Sequence, residues 1–177
     1  METLLWIALS LALLVAAVLV IASRRPDQFR VTRSQSINAP PERLFELINN
    51  LRIMNTWNPF ALRDPNAQAG YAGPEGGRGA LHTFAGSKSG TGSLEILDAK
   101  KPSAVTMRLQ MAKPFKADNT IEFALQPQGA ATVVSWTMSG KQPLLAKAMT
   151  LFVDCDKMVG REFESGLANL KAKAEAA

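Results

Sequence analysis

The chain holds one histidine, His82, inside the stretch GYAGPEGGRGALHTFAG at residues 70–86, together with six glycines and one proline. An unperturbed imidazole titrates near about 6.5 and can take up or release a proton under physiological conditions, which makes His82 the candidate general base. One imidazole is too few for a metal site built on two, and no serine or cysteine sits in a nucleophile elbow. The glycines do not make a phosphate cradle, which would run directly into a helix N-terminus with Lys and Ser/Thr at fixed spacing. Gly73 to Gly79 lead instead into an alternating, strand-like segment, so they read as turns. The residues therefore point to no metal and no cofactor. Asp154 and Asp156, two apart in DCDK, would point in different directions on a helix and read as solvated or salt-bridged rather than as an acid/base pair.

Other residues are suited to binding rather than reaction. Trp57, Met107, Met111, Phe123, Trp136 and Met138 are large and polarisable, and those in strand-like segments share one parity, as the lining of an adaptable apolar pocket would. Asn119 has the parity of Ile121 and Phe123 and is a candidate polar anchor; His82 has the parity of Phe84 and is expected to point into the same pocket. With Leu109 beside Met107 and Phe163 on a helical stripe, the candidate ligand-binding residues are Trp57, His82, Phe84, Met107, Leu109, Asn119, Phe123, Trp136, Met138 and Phe163.

The elements that must position them follow from periodicity. FRVTRSQSI alternates from Phe29 to Ile37 as a half-buried strand, and NAPPERLFELINNL then takes helical spacing, with Asn38 as a cap and Pro40 and Pro41 in the first turn. A second short helix is expected from Leu51 to Asn55, ending before Trp57, Asn58 and Pro59, and RDPNAQAG is expected to be a loop. GALHTFAG, TGSLEILDA, AVTMRLQMA, KADNTIEFALQP and TVVSWTMSG alternate between short turns, the pattern of an antiparallel meander. From Gln142 the period becomes helical, through Phe152 and the stripe Val159, Phe163, Leu167, Leu170, which predicts one helix of about 30 residues, or roughly 45 Å. Gly160 and Gly166 within it mark a kink or a close approach to the sheet.

Ahead of all this lies LLWIALSLALLVAAVLVIA, Leu4 to Ala22, with no charge and Ser10 as its one polar side chain. It is close to the roughly 20 residues that cross a bilayer as a helix. Glu2 precedes it where a secretory signal would carry basic residues, and IASRRP follows, so it reads as an uncleaved anchor. Arg24 and Arg25 at its C-terminal end favour a cytoplasmic domain on a single-pass membrane protein. The expected organisation is an anchor at 1–23, a linker at 24–28 and one domain at 29–175. The formal charge is +5, and leaving out Glu2 makes the remainder one unit more positive. The basic residues are scattered without interleaved aromatics, which excludes a nucleic-acid partner and suits anionic lipid headgroups. The single cysteine, Cys155, cannot form an internal disulfide, in keeping with a reducing compartment. Nothing in the pattern sets an oligomeric state.

The segments SINAPPERLFELINNLRIMNTWNPF, YAGPEGGRGALHTFAG, KPFKADNTIEFALQPQGAATVVSWTMSG and LFVDCDKMVGREFESGLANLK resemble the polyketide cyclase/dehydrase-type members of the START-like, Bet v 1-like superfamily (SRPBCC), from about Phe29 to Lys173. The resemblance implies an α+β helix-grip fold, a curved antiparallel sheet wrapped around a long C-terminal helix, here preceded by one transmembrane helix. It also implies a hydrophobic cavity between sheet and helix. Several relatives begin with a hydrophobic span. Relatives commonly carry an aromatic pair where this chain has His82 and Phe84, and Gly-Asn where it has Gly86 and Ser87, so its cavity is expected to be more polar. The leading expectation is a membrane-anchored, non-catalytic module for an apolar or amphipathic small molecule, of lipid or isoprenoid type. The alternatives are a cyclase, dehydratase or hydrolase with His82 as base, and a protein-interaction or stress module.

Overall fold

The computed structural model describes residues 2–151 and 153–176; Phe152, which the sequence places in the last helix, lies outside them. Helix α1 (Glu2–Ser23) is long and apolar enough to cross a membrane. Strand β1 (Gln28–Ile37) follows, then α2 (Pro41–Asn49), α3 (Leu51–Met54) and α4 (Pro59–Arg63). Six strands come next, β2 (Gln68–Ala72), β3 (Leu81–Gly86), β4 (Gly90–Lys100), β5 (Ala104–Lys113), β6 (Ala117–Gln128) and β7 (Ala131–Lys141), and the chain closes with α5 (Leu144–Met149) and α6 (Cys155–Glu175).

The strands form one antiparallel sheet in the order β1-β7-β6-β5-β4-β3-β2. All strands but the first form a meander, and β1 pairs with the last of them, so the chain just after α1 lies beside the chain just before α5. Directly paired residues of an antiparallel ladder share a face. Register therefore puts Val105, Phe123, Trp136 and Arg33 in one row on the concave side, and Ile96, Met107, Ile121, Met138 and Val31 in the next. Helix α6 lays Phe163, Gly166, Leu167, Leu170 and Ala174 on that side, and α2 adds Leu44, Phe45 and Ile48.

Local chemistry explains the connections. Proline at the first position of α2 has no amide hydrogen to leave unsatisfied. Asn50 Oδ1 accepts from the Arg52 and Ile53 amides at 3.0 and 3.2 Å, opening α3, and Asn58 Oδ1 accepts from the Phe60 amide at 3.2 Å, opening α4. Gly73, Gly77 and Gly79 all have positive φ, which explains the glycine-rich run before β3 as a backbone requirement.

Four expectations are corrected. The residue before α2 is Pro40, with no side-chain cap, while the Asn38 amide donates to Glu175. Pro59–Arg63 is a further helical turn because Asn58 restarts the helix. The stretch expected as loop contains β2, which pairs with β3 even though Gly70 and small alanines give it no strand signature. The last helix is broken: Thr150 Oγ1 donates back to the Lys147 carbonyl, and Asp154 Oδ1 accepts from the Lys157 amide at 3.0 Å to cap a fresh helix, α6.

Gly160 and Gly166 mark close approach of α6 to its neighbours. A Cβ on Gly160 would collide with the Arg33 guanidinium, and one on Gly166 would stand 2.6 Å from Trp136 Cζ3 and 2.9 Å from Pro59 Cδ. Helix propensity alone favours alanine over glycine by up to about 1 kcal/mol. Both contacts at Gly166 are rigid rings, so the opposite sign is expected: Gly166→Ala should destabilise by roughly 1–3 kcal/mol. Urea unfolding of the full chain in micelles, followed by circular dichroism, checks this; a variant as stable as the parent would refute the close approach.

Candidate ligand-binding site

Along the concave face, burial falls from row to row. The row of Val105, Phe123 and Trp136 is sealed, at 1% exposed or less. In the next, Ile96 and Met107 are fully buried while Met138 is half-buried. The third row runs Tyr71, His82, Leu94, Leu109, Asn119, Gly140, Phe29, in which Leu109, Asn119 and Phe29 are half-buried. The fourth, Phe84, Gly92 and Met111, is half-buried throughout. Gly92 lets these two side chains converge, because a Cβ there would lie 2.9 Å from Phe84 Cζ and 3.1 Å from Met111 Sδ. The opening thus lies at one end of the sheet, where β1 begins and β7 ends.

The ten residues singled out from sequence divide along this gradient. Trp57, Met107, Phe123, Trp136 and Phe163 pack as a solid floor. Trp136 stacks on Phe163 at 4.3 Å and 9°, Trp57 meets Trp136 edge-on at 5.9 Å, and Phe123 lies 4.9 Å from Trp136. Trp57 Nε1 donates to the Leu47 carbonyl at 2.9 Å. These rings occupy the deep end of the space expected to be hollow. Phe84, Leu109, Asn119 and Met138 line the open end, and His82 lies buried at its side. Among the described residues Asn119 Nδ2 has only Met138 Sδ as a partner, at 3.9 Å, a weak acceptor that leaves the amide able to bond a polar group.

His82 is packed between Tyr71, stacked at 4.8 Å, and Phe84, at 5.7 Å. Its Nδ1 is 3.2 Å from the Gly70 carbonyl, which can only accept, so Nδ1 carries the proton and Nε2 keeps its lone pair. Burial pushes the imidazole below its usual range, and the Gly70 bond offsets this only in part. The ring is neutral at pH 7. Its Nε2 is left as a hydrogen-bond acceptor.

A cleft of about 550 Å³ adjoins the open end. Phe29 and Val31 of β1 line one side, Leu151 and Val153 of the α5–α6 connection with Cys155 at the start of α6 another, and Arg25 of the linker after α1 completes the lining. A broader trough of about 740 Å³ is lined mostly by Gly70, Thr83, Ala85, Ser93, Gln110 and Ala112, whose parity puts it on the outer face of the sheet. Periodicity did not single out Val31, Leu151 or Val153, since the first shows its face only through pairing with Met138 and the other two read as ordinary helix. Asp64 was also missed: its Oδ2 accepts from the Lys88 and Ser89 amides at 2.8 and 3.0 Å, which fixes the β3–β4 turn and holds its carboxyl below the usual range. Among the described residues no group of three His, Cys, Asp or Glu side chains is placed to hold a metal.

Residues 28–175 match the family described as polyketide cyclase/dehydrase and lipid transport. No curated protein matches the chain. Among solved structures, ginseng major latex-like protein 151 from Panax ginseng superposes with a TM-score of 0.63 at 14% identity, over 84% of this chain and 99% of that one. The Aha1 dimer from Colwellia psychrerythraea gives 0.59 at 16% identity, over 83% and 96%. A protein from Chromobacterium violaceum gives 0.58 at 14% identity, over 85% and 99%. At these identities the likeness is one of fold.

A depressed imidazole makes stability depend on pH with a definite sign. As pH falls below about 6.5, the unfolded chain binds the proton before the folded one does, so the His82 contribution is complete above that value and drains away below it. The wild-type melting temperature should therefore fall more steeply between about pH 7.5 and 5.5 than that of His82→Phe. Parallel melting curves for the two proteins across this range would show that burial does not perturb the ring.

Proposed function

The chain belongs to the polyketide cyclase/dehydrase and lipid transport family, and we propose that it serves there as a membrane-anchored, non-catalytic module that binds an apolar or amphipathic small molecule of lipid or isoprenoid type. Proteins of this family bind hydrophobic small molecules. The observation that carries the finer reading is the direction of the gradient on the concave face. Its half-buried rows, with Phe84, Leu109, Met111 and Met138, open at the end of the sheet where α1 delivers the chain. Linker residues 24–27 separate that end from the last turn of α1, a reach of less than about 20 Å. A guest leaving the bilayer would meet these side chains first.

The ligand site in this reading consists of Phe84, Leu109, Met138 and Asn119, with His82 as a polar wall and the deep rings as its floor. Asn119 and the bare Nε2 of His82 are the polar atoms that would hold the head of an amphipathic guest. His82 fits this passive role because Gly70 is its hydrogen-bond partner and no carboxylate among the described residues orients it.

Photocrosslinking tests the reading. The full chain, in nanodiscs doped with a diazirine-bearing fatty acid, should take up label on β3 and β5–β7, mapped by peptide mass spectrometry. Leu109→Arg should cut that label by about tenfold, because a buried unpaired charge repels an apolar guest. If the arginine variant misfolds, Leu109→Trp, which fills the same space, should do likewise. Label confined to α1 and α5 would overturn the site.

A further inference from the structure

The sheet gathers unlike residues at its α1 end. The β1–β7 and β4–β5 registers place Gln28 opposite Lys141 and Thr91 opposite Lys113, so Lys141, Lys113 and the β5–β6 turn with Phe115 and Lys116 all lie where α1 ends. Lys88, in the β3–β4 turn, joins them. Phe115 is 66% exposed, unusual for a phenylalanine at the tip of a turn between two lysines. Lys88, Lys113, Lys116 and Lys141 make no ion pair among the described residues, whereas the acidic groups at this end are engaged. Asp118 is held by Arg108, Asp156 by Arg33, and Asp64 by the turn amides. The available charge here is positive.

Helix α5 holds this end in place beside α1. It packs against α1, where Ala22 is fully buried, and Lys147 Nζ donates to the Arg25 carbonyl at 2.9 Å and to the Asp27 carboxylate. Arg25 reaches back to Thr150. At the same level Leu144, Met149 and Val153 are exposed.

We propose that this end of the domain is a lipid-contacting surface, in which Phe115 inserts into the interface of the bilayer that α1 crosses while Lys113, Lys116 and Lys141 meet its anionic headgroups and α5 lies along the surface. The combination of an apolar tip, unpaired lysines and a tether of four residues fits an anionic membrane. The inference rests on the reading of α1 as a retained anchor and not on the ligand site.

The test uses the full chain in nanodiscs, with Cys155→Ala and a nitrobenzoxadiazole label on Phe115→Cys or, as control, on Leu97→Cys, which sits on β4 well away from this end. In discs containing phosphatidylglycerol and nitroxide-labelled acyl chains, the label at 115 should be quenched at least about twofold more than at 97, and less in pure phosphatidylcholine. Lys113→Glu with Lys116→Glu should remove the difference between lipids. Equal quenching at 115 and 97 in both lipids overturns the proposal, and equal quenching of 115 in both lipids overturns the role of the lysines. Intact mass of the membrane-extracted protein separates the premises: loss of α1 defeats the anchored reading, while retained α1 with an unquenched 115 defeats this inference alone.

Discussion

The stack of Trp136 on Phe163 sets how closely the last helix can lie on the sheet, and most else follows from that spacing. At 4.3 Å the two rings touch face to face, and the helix backbone comes so near that only glycine fits at 166, against Trp136 and Pro59 together. Trp57 and Phe123 close the other sides of the same cluster. Rings of this size bury much apolar surface each, and their edge-on and stacked geometries add to it. The cluster therefore welds the far half of α6 to the sheet. Cover thins toward the α1 end, where Phe84, Leu109 and Met111 are only half covered.

A polar fastening stands where the apolar one stops. Arg33 lies on the concave face in register with Trp136, yet it is directed at α6, donating to Glu164 at 2.8 Å and to Asp156 at 2.8 Å. Both carboxylates are largely solvated, so the pairs themselves are worth little. Their effect is geometric. They fix the first turns of α6 against β1 without filling the space beside them, as a hydrophobic side chain would. The break between α5 and α6 has a related consequence: a continuous helix would carry residues 144–149 along the line of α6, whereas the break lets α5 turn and pack beside α1, with Lys147 bonded to Arg25 and Asp27 of the linker that follows it.

Periodicity made most of this architecture legible, and its failures have identifiable causes. Five meander strands, the first strand and the apolar stripe of α6 all show regular spacing, because each buries one face on a common core. β2 was invisible, since Gly70, Ala69 and Ala72 carry no strand preference and pairing with β3 alone decides their conformation. The helix break was hidden because one apolar pattern runs through it, and the signals that end it, Thr150 and the Asp154 cap, are single hydrogen bonds. For the site, parity identified which side chains face inward but not how deep each one lies. Depth depends on position along the strands relative to α6, which no single-strand pattern encodes. Hence Phe123 and Leu109, equal in sequence, end as sealed floor and open wall.

That distinction matters for what such a site can recognise. If a guest comes from the bilayer, as proposed, it leaves surroundings as apolar as the pocket wall, and burial against Leu109, Met111 and Phe84 supplies little net driving force. The apolar wall then admits many guests nearly equally. Discrimination falls to the few polar groups that a headgroup can satisfy and a hydrocarbon chain cannot. Asn119, with a thioether as its partner, and the neutral His82, with Nδ1 committed to Gly70, are the groups of this site that could supply it. A site of this kind tolerates variety in the tail and selects by the head, because leaving a half-buried amide unpaired costs more than an imperfectly filled apolar wall.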